Sequence, residues 1–159
     1  MEERGLDMEK ELLKKGPVLD EKGRPIPGYS RKSTLVYDRK AIKAPAWRIK
    51  EWDFYQISNE RLCLQFTIGH AAYAGQVSLM LFDFIKGEKL LDLNKILVLP
   101  FGSLHMPTDA EKDNTLSYEK GGVLMRFQTK NQKRVLTCRW GNVEVKIRLE
   151  RQNPNSLVI

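Results

Sequence analysis

Two carboxylates, Glu51 and Asp53, flank Trp52 in the run Glu51-Trp52-Asp53-Phe54-Tyr55. Residues two apart on a strand share a face, so both acids would point the same way. Such a pair can divide into a protonated acid of raised pKa and an ionised base, which is what adding water to an alkene requires. Arg48 and Lys50 lie alongside, and a structural salt bridge is the plainer reading; Trp52 likewise reads first as core. Asp83, between Phe82 and Phe84, is the third weak catalytic candidate. A carboxylate there is costly unless paired. Arg126 or Arg139 across the sheet is the expected partner, and a polar group in an apolar pocket is the sharper alternative.

Other chemistry is sparse. His70 and His105 have no metal-site spacing, so neither a metal nor a cofactor is expected. Each could line an opening, and a surface role is the plainer reading. No glycine run matches a P-loop or dinucleotide fingerprint, and Ser103 and Ser117 lack an esterase elbow. Cys63 and Cys138 sit in apolar strand-like runs, where free cysteine acts as a small buried hydrophobe, and they form no CxxC pair.

The elements that must position these residues are strands. Leu62, Leu64, Phe66 and Ile68 alternate with Cys63, Gln65, Thr67 and Gly69, and Val143, Val145, Ile147 and Leu149 alternate with polar residues. This is the period of a strand with one wet face. Residues 77–85 are apolar on both faces, through Val77, Leu79, Leu81 and Ile85 on one and Met80, Phe82 and Phe84 on the other, which demands cover on both sides. Turn-forming residues at 58–61, 86–87, 120–122, 130–133 and 141–142 read as hairpins. The expectation is an antiparallel meander of about eight to ten strands forming a lipocalin-like barrel or sandwich. A short helix is expected over residues 7–15, stopped by Gly16-Pro17, giving an arm at 1–16 and a barrel-like domain at 17–159. Residues 100–114 form one long loop, and long loops in compact domains are often functional. The apolar run at 156–159 reads as a final edge strand or as a sign that a second half is missing.

The chain has 159 residues and a net charge of +7. Nine basic side chains and one acid, Asp38, fall within residues 22–50, leaving the rest close to neutral. Such a segment could attract nucleic acid or an anionic membrane; a solvated, loop-rich stretch is the plainer reading, because no nucleic-acid motif accompanies it. No apolar run is long enough to span a bilayer and no secretory signal opens the chain, so a cytoplasmic location is the default expectation.

Several segments together carry a likeness. Gly16-Pro17-Val18-Leu19-Asp20-Glu21-Lys22-Gly23, Gly28-Tyr29-Ser30-Arg31, Tyr37-Asp38-Arg39 and Arg48-Ile49-Lys50-Glu51-Trp52-Asp53-Phe54-Tyr55 resemble the start of the uncharacterised bacterial family DUF2804. Tyr73-x-Gly75 and Phe82-Asp83 fit later positions, and Tyr29 stands where the family more often has tryptophan. The likeness is strong over residues 16–85 and looser beyond. It implies a longer protein with a second β-rich half, and a distant similarity to the carotenoid-hydratase and AttH-like group of two-barrel proteins, some of which bind or act on polyene or lipid-like molecules.

Three functions follow as expectations. The first is a module binding a lipophilic small molecule, with Trp52, Tyr55, Phe66, Tyr73, Phe82, Phe84 and His105 as ligand-contacting residues. The second is half of a hydratase-like enzyme for isoprenoid or lipid substrates. The third is an electrostatic binder acting through residues 22–50. If a second half is missing, its docking face could drive homo-oligomerisation.

Overall fold

The computed structural model describes residues 10–71, 73–100, 103–109 and 112–153. Eight strands form two four-stranded antiparallel meanders. Sheet 1 runs β3 (Glu51–Ser58), β4 (Leu62–His70), β5 (Ala74–Asp83) and β6 (Glu88–Val98) in sequence order. Sheet 2 runs β7 (Asn114–Lys120), β8 (Val123–Lys130), β9 (Lys133–Trp140) and β10 (Val143–Leu149). Two short segments, β1 (Gly16–Pro17) and β2 (Leu35–Val36), pair in parallel outside both sheets.

The alternation seen in the sequence decides which residues meet. Phe66, Ile68, Val77 and Leu79 of sheet 1 join Leu116, Val123, Met125, Phe127, Leu136 and Cys138 of sheet 2 in one buried core. Phe127 sits edge-on to both Phe66 and Tyr55, with centroids 6.2 and 4.9 Å apart. Such pairs add specificity beyond the area they bury. Cys63 and Cys138 are buried free thiols, and burial pushes Cys138 up to about 11.

The expected hairpins form, and their backbone explains the turn residues. Gly121 and Gly122 have φ of 60° and 74°, and Asn131 and Gln132 have φ of 50° and 63°. Two consecutive positive φ values are what a two-residue turn matching the strand twist needs.

Three expectations need correction. The sheets do not close into a barrel: sheet 1 ends on β3 and β6, and sheet 2 on β7 and β10, with no ladder between them among the described residues. Two sheets share one core between their inward faces instead. The short N-terminal helix is not seen either. Residues 7–9 lie outside the described residues, and 10–15 are extended, with Leu12 donating to the Tyr29 carbonyl at 2.7 Å and Tyr29 donating to that of Lys10 at 3.1 Å. With only Leu6, Met8, Leu12 and Leu13 apolar, that helix had too small a face, and an isolated parallel bridge between Glu11 and Tyr29 holds the segment instead. Finally, the partner of Asp83 is Arg61, Nε to Oδ2 at 3.0 Å, rather than Arg126 or Arg139. Both of those lie on sheet 2, whereas Arg61 precedes β4, next to the end of β5. The doubly apolar strand is β5, an inner strand of its sheet, whose core-facing side is buried while Met80 and Phe82 on the outward side are only half-buried. The apolar run at 156–159 lies outside the described residues.

Candidate functional site

Glu51, Asp53, Tyr55 and Ile57 alternate on β3 with the exposed Trp52, Phe54, Gln56 and Ser58, so the two acids do share a face. Pairing then separates their environments. Glu51 lies opposite His70 and Asp53 opposite Ile68.

Glu51 is buried and heavily engaged. The Tyr37 hydroxyl donates to Oε1 at 2.5 Å, Arg39 Nη1 donates to Oε2, and Nε2 of His70 lies 2.9 Å from the same Oε2. Burial, then the adjacent Arg39 charge, hold the His70 imidazole below its ordinary pKa. The carboxylate beside it pulls the other way, but Arg39 and Tyr37 already engage it. Tyr37 and Arg39 come from the irregular segment before β3. Asp38 shapes their turn, its side chain accepting from the Lys40 amide at 2.8 Å at the head of a 3-10 turn over Arg39–Ala41. Glu51 is therefore a fastener that ties residues 10–50 to sheet 1. Two further contacts tie the same segment to the loop after β6: Tyr37 N–H to the Thr108 carbonyl at 3.1 Å, and Lys15 to the buried Asp109 at 2.6 Å.

Asp53 faces a cleft. Burial raises its pKa, while the Tyr55 hydroxyl, donating at 3.1 Å, and the Arg134 charge hold it back. The Tyr55 hydroxyl is raised in turn, by burial first and then by the charge of Asp53. Arg134 is placed by register: Asn114, Thr129, Arg134 and Leu149 form the end row of sheet 2. Its Nε donates to Thr129 Oγ1 at 3.1 Å and its guanidinium carbon lies 5.2 Å from the Tyr55 ring centroid. Tyr37, Asp53, Tyr55, Arg134, Met106 and Pro107 are among the residues that line an open cleft of about 350 Å³ at this end of the two sheets.

A second hollow of about 390 Å³ lies on the outward face of sheet 1. Its floor is the row Trp52, Gly69, Gln76 and Ile96 across all four strands. Gly69 is required there, because a Cβ would sit 2.6 Å from Cβ of Trp52. Trp52 lines both hollows and is 67% exposed, so it is not core.

The structure brings Glu51, Trp52, Asp53 and Tyr55 to one place and leaves the other sequence candidates apart. Phe66 is fully buried in the core and fills space instead of lining it. Phe82 lies on the outward face of β5, Phe84 is exposed just after that strand, and Tyr73 is exposed between β4 and β5. His105 is exposed in the loop, at a φ of 51°. Asp83 accepts from the Ile85 and Lys86 amides and from Arg61, which outweigh burial and lower its pKa, so it anchors a hairpin. Among the described residues, no three His, Cys, Asp or Glu side chains gather as a metal site, and no helix is long and apolar enough to cross a membrane.

Sequence reasoning missed Tyr37, Arg39, Met106, Pro107 and Arg134. Tyr37 and Arg39 had a signal, since they stand in the Tyr-Asp-Arg segment of the family likeness. Arg134 had a weaker one, as a cation at an otherwise inward position of a strand.

Fold and site together define an antiparallel two-sheet β domain with a cleft at one end, walled by a fastened N-terminal segment and a long loop. The chain belongs to the DUF2804 family, described as a domain of unknown function, which matches residues 9–159. That match runs well past residue 85 and takes in all of sheet 2. No curated protein and no solved structure matches significantly.

Proposed function

We propose that this chain is a binding module for a lipophilic small molecule with a polar end, seated in the cleft beside Asp53. The observation that carries the reading is a half-buried carboxyl of raised pKa in an open cleft whose other walls include Trp52, Met106 and Pro107. Mostly apolar walls with a few convergent polar groups and a perturbed acid are the usual make-up of a ligand site. The apolar part of the ligand would lie on Met106 and Pro107, with its polar end at Asp53 and Tyr55.

The test is organic-solvent extraction of the purified protein together with a thermal-shift titration against fatty-acid and isoprenoid ligands. A true ligand at a hundred times its Kd stabilises by about 2.7 kcal/mol, which raises Tm by roughly 5–10 °C in a domain of this size. Asp53→Asn should weaken binding yet raise the Tm of the ligand-free protein. Its folded pKa lies above its unfolded value, so the ionised group costs stability at neutral pH and removing the charge recovers it. An empty extract together with no Tm response across the panel would sink the reading.

A second reading is half of a hydratase-like enzyme. Asp53 favours it, because a carboxyl held toward its protonated form is the donor that hydration of an alkene needs. This reading predicts turnover that fails in Asp53→Asn. Binding without turnover, even with a second half supplied, would leave only the first. The third reading, an electrostatic binder through residues 22–50, has less support. Arg39 is spent on Glu51, Arg24 on Asp20 and Arg31 on Glu11.

A further inference from the structure

The part of the chain outside the basic segment is near-neutral only on average. Residues 114–159 hold nine Lys and Arg against three Glu, and no Asp. The alternation of sheet 2 concentrates this excess on one side. Apart from Asn114, Lys120, Thr129 and Arg134 at the ends of its rows, its inward positions are apolar or aromatic, including Tyr118, Phe127 and Trp140, so most of its charges point outward.

Register places them on a grid. Arg126, Thr137 and Lys146 form one row across β8, β9 and β10. Gln128, Val135 and Arg148 form the row on one side of it, and Leu124, Arg139 and Glu144 the row on the other. Lys130 and Lys133 pair at the hairpin end. The carboxylates on this face are Glu119, 3.7 Å from Arg126, Glu144, and Glu150, which holds Lys133 at 2.9 Å. Arg126, Arg139, Lys146 and Arg148 surround Thr137 in a shallow depression of about 350 Å³.

We propose that the outward face of sheet 2 binds the phosphate backbone of double-stranded nucleic acid without reading its sequence. Charge complementarity selects a polyanion, and three of the four central cations are arginines, whose planar fork matches phosphate oxygens. The occupant is narrowed by what the face lacks. None of the exposed large apolar side chains among the described residues belongs to sheet 2. There is thus no aromatic platform on which single-stranded bases could stack and no apolar anchor for a bilayer. With strands about 4.8 Å apart, the three strands that carry these cations, β8 to β10, span roughly 10 Å. A duplex carries one charge per about 1.7 Å of axis, so this span is enough for four cations to meet separate phosphates. Contacts of this kind position a protein but carry no sequence information.

The test uses the full chain and fluorescence anisotropy with two 20-base-pair duplexes of unrelated sequence. Four phosphate contacts predict a slope of log K against log salt near −3.6. That corresponds to about a 150-fold loss of affinity from 50 to 200 mM salt, equal for both duplexes. Each of Arg126→Gln, Arg139→Gln, Lys146→Gln and Arg148→Gln should flatten the slope by about 0.9, and the quadruple variant should abolish binding. Circular dichroism checks its fold, since all four side chains project away from the core. Three results would each overturn the proposal: no binding at 50 mM salt, a wild-type slope in the quadruple variant, or a loss that follows Lys22, Lys32, Lys40 and Arg48→Gln instead. Vesicles rich in phosphatidylserine that bind more tightly than duplex, through the same four residues, would assign the face to a membrane and overturn it as well.

Discussion

Replacing Glu51 with alanine removes the group on which Tyr37, Arg39 and His70 converge. Breaking a buried ion pair from one side costs about 3–5 kcal/mol, because the surviving charge is left without its partner. Here the survivor is Arg39, whose side chain is 29% exposed, so part of its charge can reach water. That puts the expected cost near the low end, about 3 kcal/mol. With a urea m-value of about 2 kcal/mol/M, the unfolding midpoint falls by about 1.5 M. The loss should also be local. Hydrogen exchange at the Tyr37 amide, which donates to Thr108, and at the Gly16 and Val18 amides, which donate to Thr34 and Val36, should quicken more than exchange in β8 and β9. A double-mutant cycle separates the fastener from simple loss of packing. Glu51→Leu with Arg39→Met replaces the pair by apolar groups and should recover at least about 1.5 kcal/mol relative to the sum of the singles. A cost below about 1 kcal/mol, or strict additivity in the cycle, would refute the idea that this carboxylate holds the N-terminal segment down.

The same cluster makes stability depend on pH. The folded pKa of His70 is depressed, so the unfolded chain binds its proton first. Stability should be full above about pH 6.5 and fall as pH drops through that value toward the folded pKa. Urea midpoints at pH 7.5 and 5.5 measure this, and His70→Asn should flatten the difference; an equal difference in the variant counts against the assignment. Gly69→Ala should cost about 1–3 kcal/mol, or roughly 2–12 °C in Tm, because the new Cβ meets Trp52 Cβ at 2.6 Å and the Glu51 carbonyl at 3.1 Å. A neutral result in a melting curve would mean that β3 and β4 are less tightly apposed here.

Sheet 2 was the most legible part of the fold. Val143, Val145, Ile147 and Leu149 alternate with charged residues and do face the core, because a strand with one wet face writes its orientation into every second residue. The hairpins were legible for a similar reason, since glycine and asparagine mark backbone that most residues avoid. Closure was not legible. A barrel and a pair of packed sheets need the same alternation, and only pairing between the end strands distinguishes them. The N-terminal 3-10 turns and bridges follow no hydrophobic period, so the basic stretch at 22–50 reads as loop-rich, although Tyr37 and Lys50 from it line the cleft. The cationic face was missed for an arithmetic reason: residues 51–113 hold nine acids and five bases, and their deficit concealed the excess that follows.

The candidate site shows the same limit at the level of two residues. Glu51 and Asp53 have near-identical chemistry, one strand repeat apart, and the sequence offered them as an equivalent pair. What distinguishes them is supplied from a distance. Glu51 is met by Tyr37 and Arg39 from 14 and 12 residues earlier, and by His70 through the register of β4. Asp53 is met by Ile68 on its own sheet and by Arg134 from the other. A one-residue slip of β4 would set His70 beside a different residue of β3 and turn its inward side chains away from the core. The division between a carboxylate that fastens and one that remains available to a ligand is therefore a property of register. It should survive an exchange of Asp for Glu at position 53 far better than a shift in the β3–β4 hairpin.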